Sequence, residues 1–206
     1  MCGNQGPDEG TGAVVPPIHP ASTFARHAID DDAQYRYSRG ANPTRAAREA
    51  ILNGLEHGGG ASAFASGIAA VTAALQLLSA GDHAVVGYDC YLSTYHLFAN
   101  DLPRYGISAD FVELTDLEAV RGAIKPNTRM IWIETPTNPL LDVVDLRAVA
   151  AIGREANALT VVDNTFASPY CQNPLDWFDC WLLMRGIRTL GVRMRQIMAN
   201  AQMIAE

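Results

Sequence analysis

The feature that most restricts the fold is a recurring texture: a short apolar run, a turn, then a segment with helical spacing, several times in succession. The runs are residues 61–66, 83–88, 109–114, 129–135 and 159–165, and between them lie 68–79, 92–104, 117–123 and 146–157. Each intervening segment is long enough for a crossover helix. Strands alternating with helices predict an α/β fold of the doubly wound kind, a mostly parallel sheet covered on both faces. Ligands of such sheets gather at the carboxyl ends of the strands, so residues just after each run are the first candidates for chemistry.

The flanks read differently. Residues 1–44 place Pro16, Pro17, Pro20 and Pro43 among Gly and Asp with no sustained period, which predicts an extended arm. Thr44 is a good helix N-cap, and the segment after it puts Ala47, Ile51 and Leu55 on one face before Gly58–Gly60 stops it. The alternation ends after Thr165, and from Phe178 apolar residues spaced by threes and fours predict one long helix whose apolar face has no visible partner in the chain. The expected organisation is thus an arm over 1–44, a domain over 45–176 and a helix over 177–206.

Composition removes several functions. With 49% apolar and 18% charged residues the chain can bury a core. Fifteen Lys plus Arg against twenty-two Asp plus Glu leave a net charge of −7 with no basic cluster, which excludes nucleic acid and anionic membranes as expected partners. No basic start, no leader-like apolar run and no stretch of about 18 apolar residues is present, so a soluble, cytoplasmic protein is expected. Cys2, Cys90, Cys171 and Cys180 form no CxxC pair, and a disulfide framework is not expected. The histidines at 19, 27, 57, 83 and 96 show no i, i+4 pair, so no metal site is expected and each reads as a surface or capping residue. His57–Gly60 spells HGGG, but the G-x-S-x-G elbow that an esterase reading needs is missing. Fourteen of the fifteen cations are Arg; Lys125 is the one lysine.

What remains is a set of groups at the expected strand ends. Ser66, Gly67 and Ile68 open a helix, so the Gly67 and Ile68 N–H groups form a natural phosphate cradle. Tyr91 follows the second run and can stack on a flat ring. The fourth run leads through Glu134 into Thr135-Pro136-Thr137-Asn138-Pro139, and the fifth ends near Asp163. Cradle, aromatic, amide and carboxylate together describe a pocket for a phosphorylated heteroaromatic ring.

The segments YRYSRGANPT (35–44), FASGIAAV (64–71), IETPTNPLLDVVD (133–145), VVDNTFASPY (161–170) and FDCWLLMRGIRTL (178–190) resemble the Cys/Met-metabolism family of pyridoxal-phosphate enzymes. That family includes cystathionine gamma-synthase, cystathionine gamma-lyase, methionine gamma-lyase and O-acetylhomoserine sulfhydrylase. The resemblance implies the large domain of the fold type I pyridoxal-phosphate (PLP) transferases, and gamma-replacement or elimination on a sulfur amino acid or an activated homoserine. It implies that Asp163 pairs with the pyridinium nitrogen, where an opposite charge at about 4 Å is worth about 4 kcal/mol at an effective dielectric of 20. Tyr91 would stack on the ring, although the glycines usual after it are Leu92 and Ser93 here. Asn138 would approach the phenolic oxygen with Glu134 in support, and Ser66, Gly67 and Ile68 would hold the phosphate. Tyr37 and Arg39 would reach the phosphate of a neighbouring subunit, in a homodimer or in a heterodimer with an intact paralogue.

The resemblance also marks an absence. Family members carry the Schiff-base lysine shortly after the stretch matching Asn173-Pro174-Leu175-Asp176, whereas here that stretch runs straight into residues resembling a part well downstream. Lys125 precedes the fourth run, at the amino end of the sheet, and a run of six residues spans about 20 Å at 3.3 Å per residue. An impaired protein with an internal deletion and no C-terminal domain, holding PLP noncovalently at best, is the expectation; a non-catalytic subunit or a deletion product is the alternative.

Overall fold

A computed structural model describes residues 7–8, 10–26, 28, 32–172 and 202. The chain forms two compact units, Met1–Ala63 and Phe64–Glu206. The helix expected from Phe178 lies outside the described residues, Gln202 excepted.

In the first unit the arm folds back on itself. Thr23 and Tyr37 form an antiparallel bridge, Phe24 N–H donates to the Arg36 carbonyl at 3.1 Å and Ser38 N–H to the Ser22 carbonyl at 2.9 Å. Asn42 Nδ2 donates to the His19 carbonyl and to Ser38 Oγ. Helix α1, Pro43–Leu55, is capped by Asn42 rather than the expected Thr44: Asn42 Oδ1 accepts the Thr44 N–H at 2.8 Å. Pro43 explains the shift, because its fixed φ and missing N–H suit the first helical position.

The second unit is built on a four-stranded parallel sheet of order β2-β1-β3-β4. Its strands are β1 His83–Gly87, β2 Ser108–Val112, β3 Thr128–Glu134 and β4 Leu159–Asp163. The helices are α2 Gly67–Leu75, α3 Leu92–His96, α4 Leu117–Ala123, α5 Leu146–Glu155 and α6 Ser168–Cys171. Alternate residues of each strand face opposite layers, as the pleat requires. Ala84, Val86, Met130, Trp132 and Val161 join Val71, Leu75 and Phe98 in one core. Val85, Ile131, Ile133 and Val162 join Val120, Val149 and Ile152 in the other. Complete burial of such side chains stabilises by about 1.5–3 kcal/mol each. The α/β parallel architecture expected from the sequence is therefore present.

Three local expectations are corrected. Residues 61–66 are not a strand: the run is mostly Ala and Ser, which offer a pleated sheet little to pack. Residues 92–104 are not one helix; α3 passes into a π-turn at Leu97–Asp101 and a 3₁₀ turn at Leu102–Tyr105, closed by Gly106 at φ 74°. Pro103 accounts for this, since it lacks an N–H and crowds the carbonyl of residue 99. His83 is fully buried rather than a surface residue. Its Nδ1 meets Thr128 Oγ1 at 2.9 Å and its Nε2 lies 3.4 Å from Asp110 Oδ2. Among the described residues no helix is long and apolar enough to cross a membrane.

Candidate active site at the carboxyl rim

Three strands of the second unit end together at one rim, and each delivers a carboxylate. Asp89 follows β1, Glu134 ends β3 and Asp163 ends β4. Glu134 and Asp163 are register partners across β3 and β4, so two acids stand directly opposite each other, an arrangement unfavourable for like charges. Glu134 is 5% exposed. Burial first, then Asp163 and Asp89, push its carboxyl up to about 7, while the Tyr91 N–H it accepts pulls the other way. Cys90 is buried in the same place, and burial followed by Glu134, Asp89 and Asp163 pushes its thiol up to about 12. A thiol held that high is inert at neutral pH.

The loops at this rim are closely tied. After β1, Tyr91, a residue 46% exposed, donates its N–H to Glu134 Oε2 at 2.7 Å and enters α3 directly. After β3, Thr137 Oγ1 accepts the Asp142 N–H at 2.8 Å and Thr135 Oγ1 the Val144 N–H at 3.0 Å, a frame that holds half-buried Asn138. Leu140 N–H donates to Asp89 Oδ2 at 3.0 Å. After β4, Asp163 Oδ1 accepts both the N–H and the hydroxyl of Thr165. Gln172 Nε2 then returns to the Thr135 carbonyl at 3.2 Å and to Asn164 Oδ1 at 3.0 Å.

Helix α2 begins at Ser66, whose Oγ accepts the Ala69 N–H at 3.2 Å. Helical geometry leaves the Gly67 and Ile68 N–H groups without an intrahelical acceptor. The helix end is open enough to receive an anion, since Ser66 is exposed and Gly67 and Ile68 are half-buried.

The second unit thus gathers Tyr91, Glu134, Asn138 and Asp163 at the strand ends and presents Ser66, Gly67 and Ile68 at the start of α2. Tyr37 and Arg39 belong to the first unit, where the Arg39 guanidinium lies 4.7 Å from the Tyr37 ring centroid. Asp89 escaped the sequence reading, although the signal that marks Tyr91, a position just beyond a strand end, marks it equally. For a phosphorylated pyridine the donor set fits in part: open helix N–H groups suit the phosphate, and a rim carboxylate suits a ring N–H. A covalent amine does not fit. Lys125 lies before β3, with its Nζ 2.6 Å from Asp110 Oδ2, at the opposite end of the seven-residue strand.

Comparison with known proteins accords with this geometry. The profile of the Cys/Met metabolism PLP-dependent enzyme family matches residues 2–177 and, as a separate segment, 175–206. The chain is 40% identical to the "Probable cystathionine gamma-synthase" of Herpetosiphon aurantiacus, over 98% of this chain and 78% of that protein. It is also 40% identical to the cystathionine gamma-lyase of Bacillus subtilis, over 96% of this chain and 65% of that one. The crystal structure of cystathionine gamma-lyase from Lactobacillus plantarum complexed with L-serine superposes with a TM-score of 0.81 at 48% identity. That superposition covers 84% of this chain and 45% of the other, so the chain spans less than half of that solved relative. The Herpetosiphon match runs over 250 residues, 44 more than the 206 of this chain, and so includes residues that have no counterpart here. The break in the family match, at 175–177, falls where the sequence passes from Asn-Pro-Leu-Asp to Trp177. The ordered motifs, the parallel sheet and these matches agree: the chain belongs to the Cys/Met-metabolism family of pyridoxal-phosphate-dependent enzymes.

Proposed function

We propose that this chain is a PLP-binding protein of the gamma-synthase or gamma-lyase lineage that holds the coenzyme by noncovalent contacts alone. The observation that carries the reading is the position of Lys125: the sequence has one lysine, and it is ion-paired to Asp110 before β3. In this reading the Gly67 and Ile68 N–H groups and the Ser66 hydroxyl hold the phosphate, and Asp163 holds the proton on the pyridine nitrogen. Tyr91 covers one ring face, Asn138 faces the phenolic oxygen and Glu134 supports the loop between them. The bound group supplies an electron sink for an amino-acid substrate carrying sulfur or an activated homoserine oxygen. No lysine stands at the rim to move the substrate's alpha proton, so the chain contributes binding and orientation and turnover is severely impaired.

The test is borohydride reduction of the protein saturated with PLP, followed by desalting and peptide mass measurement. The expected result is a ligand that washes away and an unmodified site. Stoichiometric phosphopyridoxyl on Lys125 would overturn the reading.

The arm supports a second role, as a subunit in a homodimer or beside an intact paralogue. Tyr37 is 42% exposed and carries Arg39 against its ring, a pair suited to reaching a neighbour's phosphate. Native mass measurement after co-expression with an intact family member checks this; finding only unmixed species would remove the heterodimer.

A further inference from the structure

Asp89 has no part in the reading above, yet it is only 8% exposed and spends an oxygen on a backbone amide of another loop. It projects from the loop after β1 and accepts the Leu140 N–H, in the loop after β3, at 3.0 Å. Glu134, at the end of β3, does the converse by accepting the Tyr91 N–H, in the loop after β1, at 2.7 Å. Strands β1 and β3 are hydrogen-bonded neighbours, so each sends a buried carboxylate across to hold the other's outgoing loop. We infer that Asp89 and Glu134 are positioning residues forming a reciprocal brace, which makes one rigid unit of the loops carrying Tyr91 and Asn138.

The chemistry of the pair supports this. A carboxyl oxygen accepts a backbone N–H whether or not the group is ionised, and ionisation only adds to the strength of the bond. The other hydrogen bonds of the 135–144 loop tie it to itself, to the end of β4, where the Thr135 N–H donates to the Asp163 carbonyl at 3.3 Å, and to Gln172. Among the described residues Asp89 alone joins it to the loop after β1, and Glu134, the strand residue from which it departs, takes the Tyr91 N–H of that same loop. The brace also has a cost that argues for a purpose: burial first, then the neighbouring Asp163 and Asp89, raise the Glu134 carboxyl to about 7. Acceptor geometry rather than charge is what the brace requires, so an amide side chain of equal length should serve. The inference rests on the proposed function insofar as Tyr91 and Asn138 face the coenzyme.

The experiment is backbone amide hydrogen exchange on the full chain, with PLP affinity read separately by fluorescence titration. The variants are Asp89→Ala, Glu134→Ala, Asp89→Asn and Glu134→Gln. Each alanine variant is expected to accelerate exchange at both Tyr91 and Leu140 by about tenfold or more and to weaken PLP binding by a similar factor. The amide variants, which keep an acceptor in place, should remain within about threefold of the parent on both readouts. Should the alanine variants fail to fold, Glu134→Asp keeps the charge but withdraws its oxygens by one methylene, and it should release both amides. Acceleration confined to the amide whose own acceptor was removed, or amide variants that behave like alanine, would overturn the brace. Absence of PLP binding in the parent protein would overturn the coenzyme reading instead, and the exchange result would still decide the brace.

Discussion

Lys125 shows how a residue legible in sequence acquires a physical place. Its position before the fourth apolar run puts its amine at the amino side of the sheet, and the structure adds its partner, Asp110, at 2.6 Å. The side chain is 45% exposed, so the pair contributes about 1 kcal/mol or less. Lys125→Met is therefore expected to bind PLP as tightly as the parent while losing no more than about that much stability. A titration showing a tenfold weaker complex would place the amine at the site. His83 shows the opposite case. Nothing in its local sequence separates a surface histidine from one that starts a strand buried on both faces, because the deciding partners, Thr128 and Asp110, lie on β3 and β2. Asp89 is marked by its place just beyond a strand end, but its acceptor role is not legible there, because it depends on an amide 51 positions away.

Elements were legible where period and length agreed. Four apolar runs became strands within two residues of their expected ends, since each carries β-branched or aromatic residues and is bounded by turns. The Ala/Ser run at 61–66 did not, because an apolar count alone cannot supply the side-chain volume that a sheet packs. Close packing between elements is a further property that pattern does not carry. Gly153 on α5 approaches β4 so closely that an added Cβ would stand 2.6 Å from Thr160 Oγ1. Gly153→Ala is expected to destabilise by about 1–3 kcal/mol through overpacking, although alanine is the better helix former. Denaturant unfolding measures this, and a stabilised variant would show that α5 can lift away freely. At the start of the same helix Asp145 Oδ1 accepts the Ala148 N–H at 3.1 Å, so Asp145→Ala should cost about 1 kcal/mol in the same assay.

At the scale of the whole molecule the two ends of the sheet respond to acid in opposite senses. Burial, aided by Lys125, holds His83 below the ordinary 6.5, more than Asp110 offsets, so the contact with Asp110 is not an ion pair at neutral pH. A histidine kept neutral by folding contributes stability above pH 6.5 that is lost as pH falls through its lower folded value. Glu134, raised from 4.5 to about 7, contributes stability that is full below pH 4.5 and lost as pH rises through about 7. Unfolding free energies measured from pH 4 to 8 should therefore lose their decline between 4.5 and 7 in Glu134→Gln and their acid-side fall in His83→Gln. Unchanged slopes would mean that neither group titrates differently on unfolding. Gln172 has a consequence of its own. By stitching the chain after β4 to Thr135 and Asn164, it closes the rim three residues before the family match breaks at 175. The chain after β4 is thereby tied back to the rim through partners that all lie at or before residue 172. A change of length after residue 172 leaves each of these bonds with both its partners.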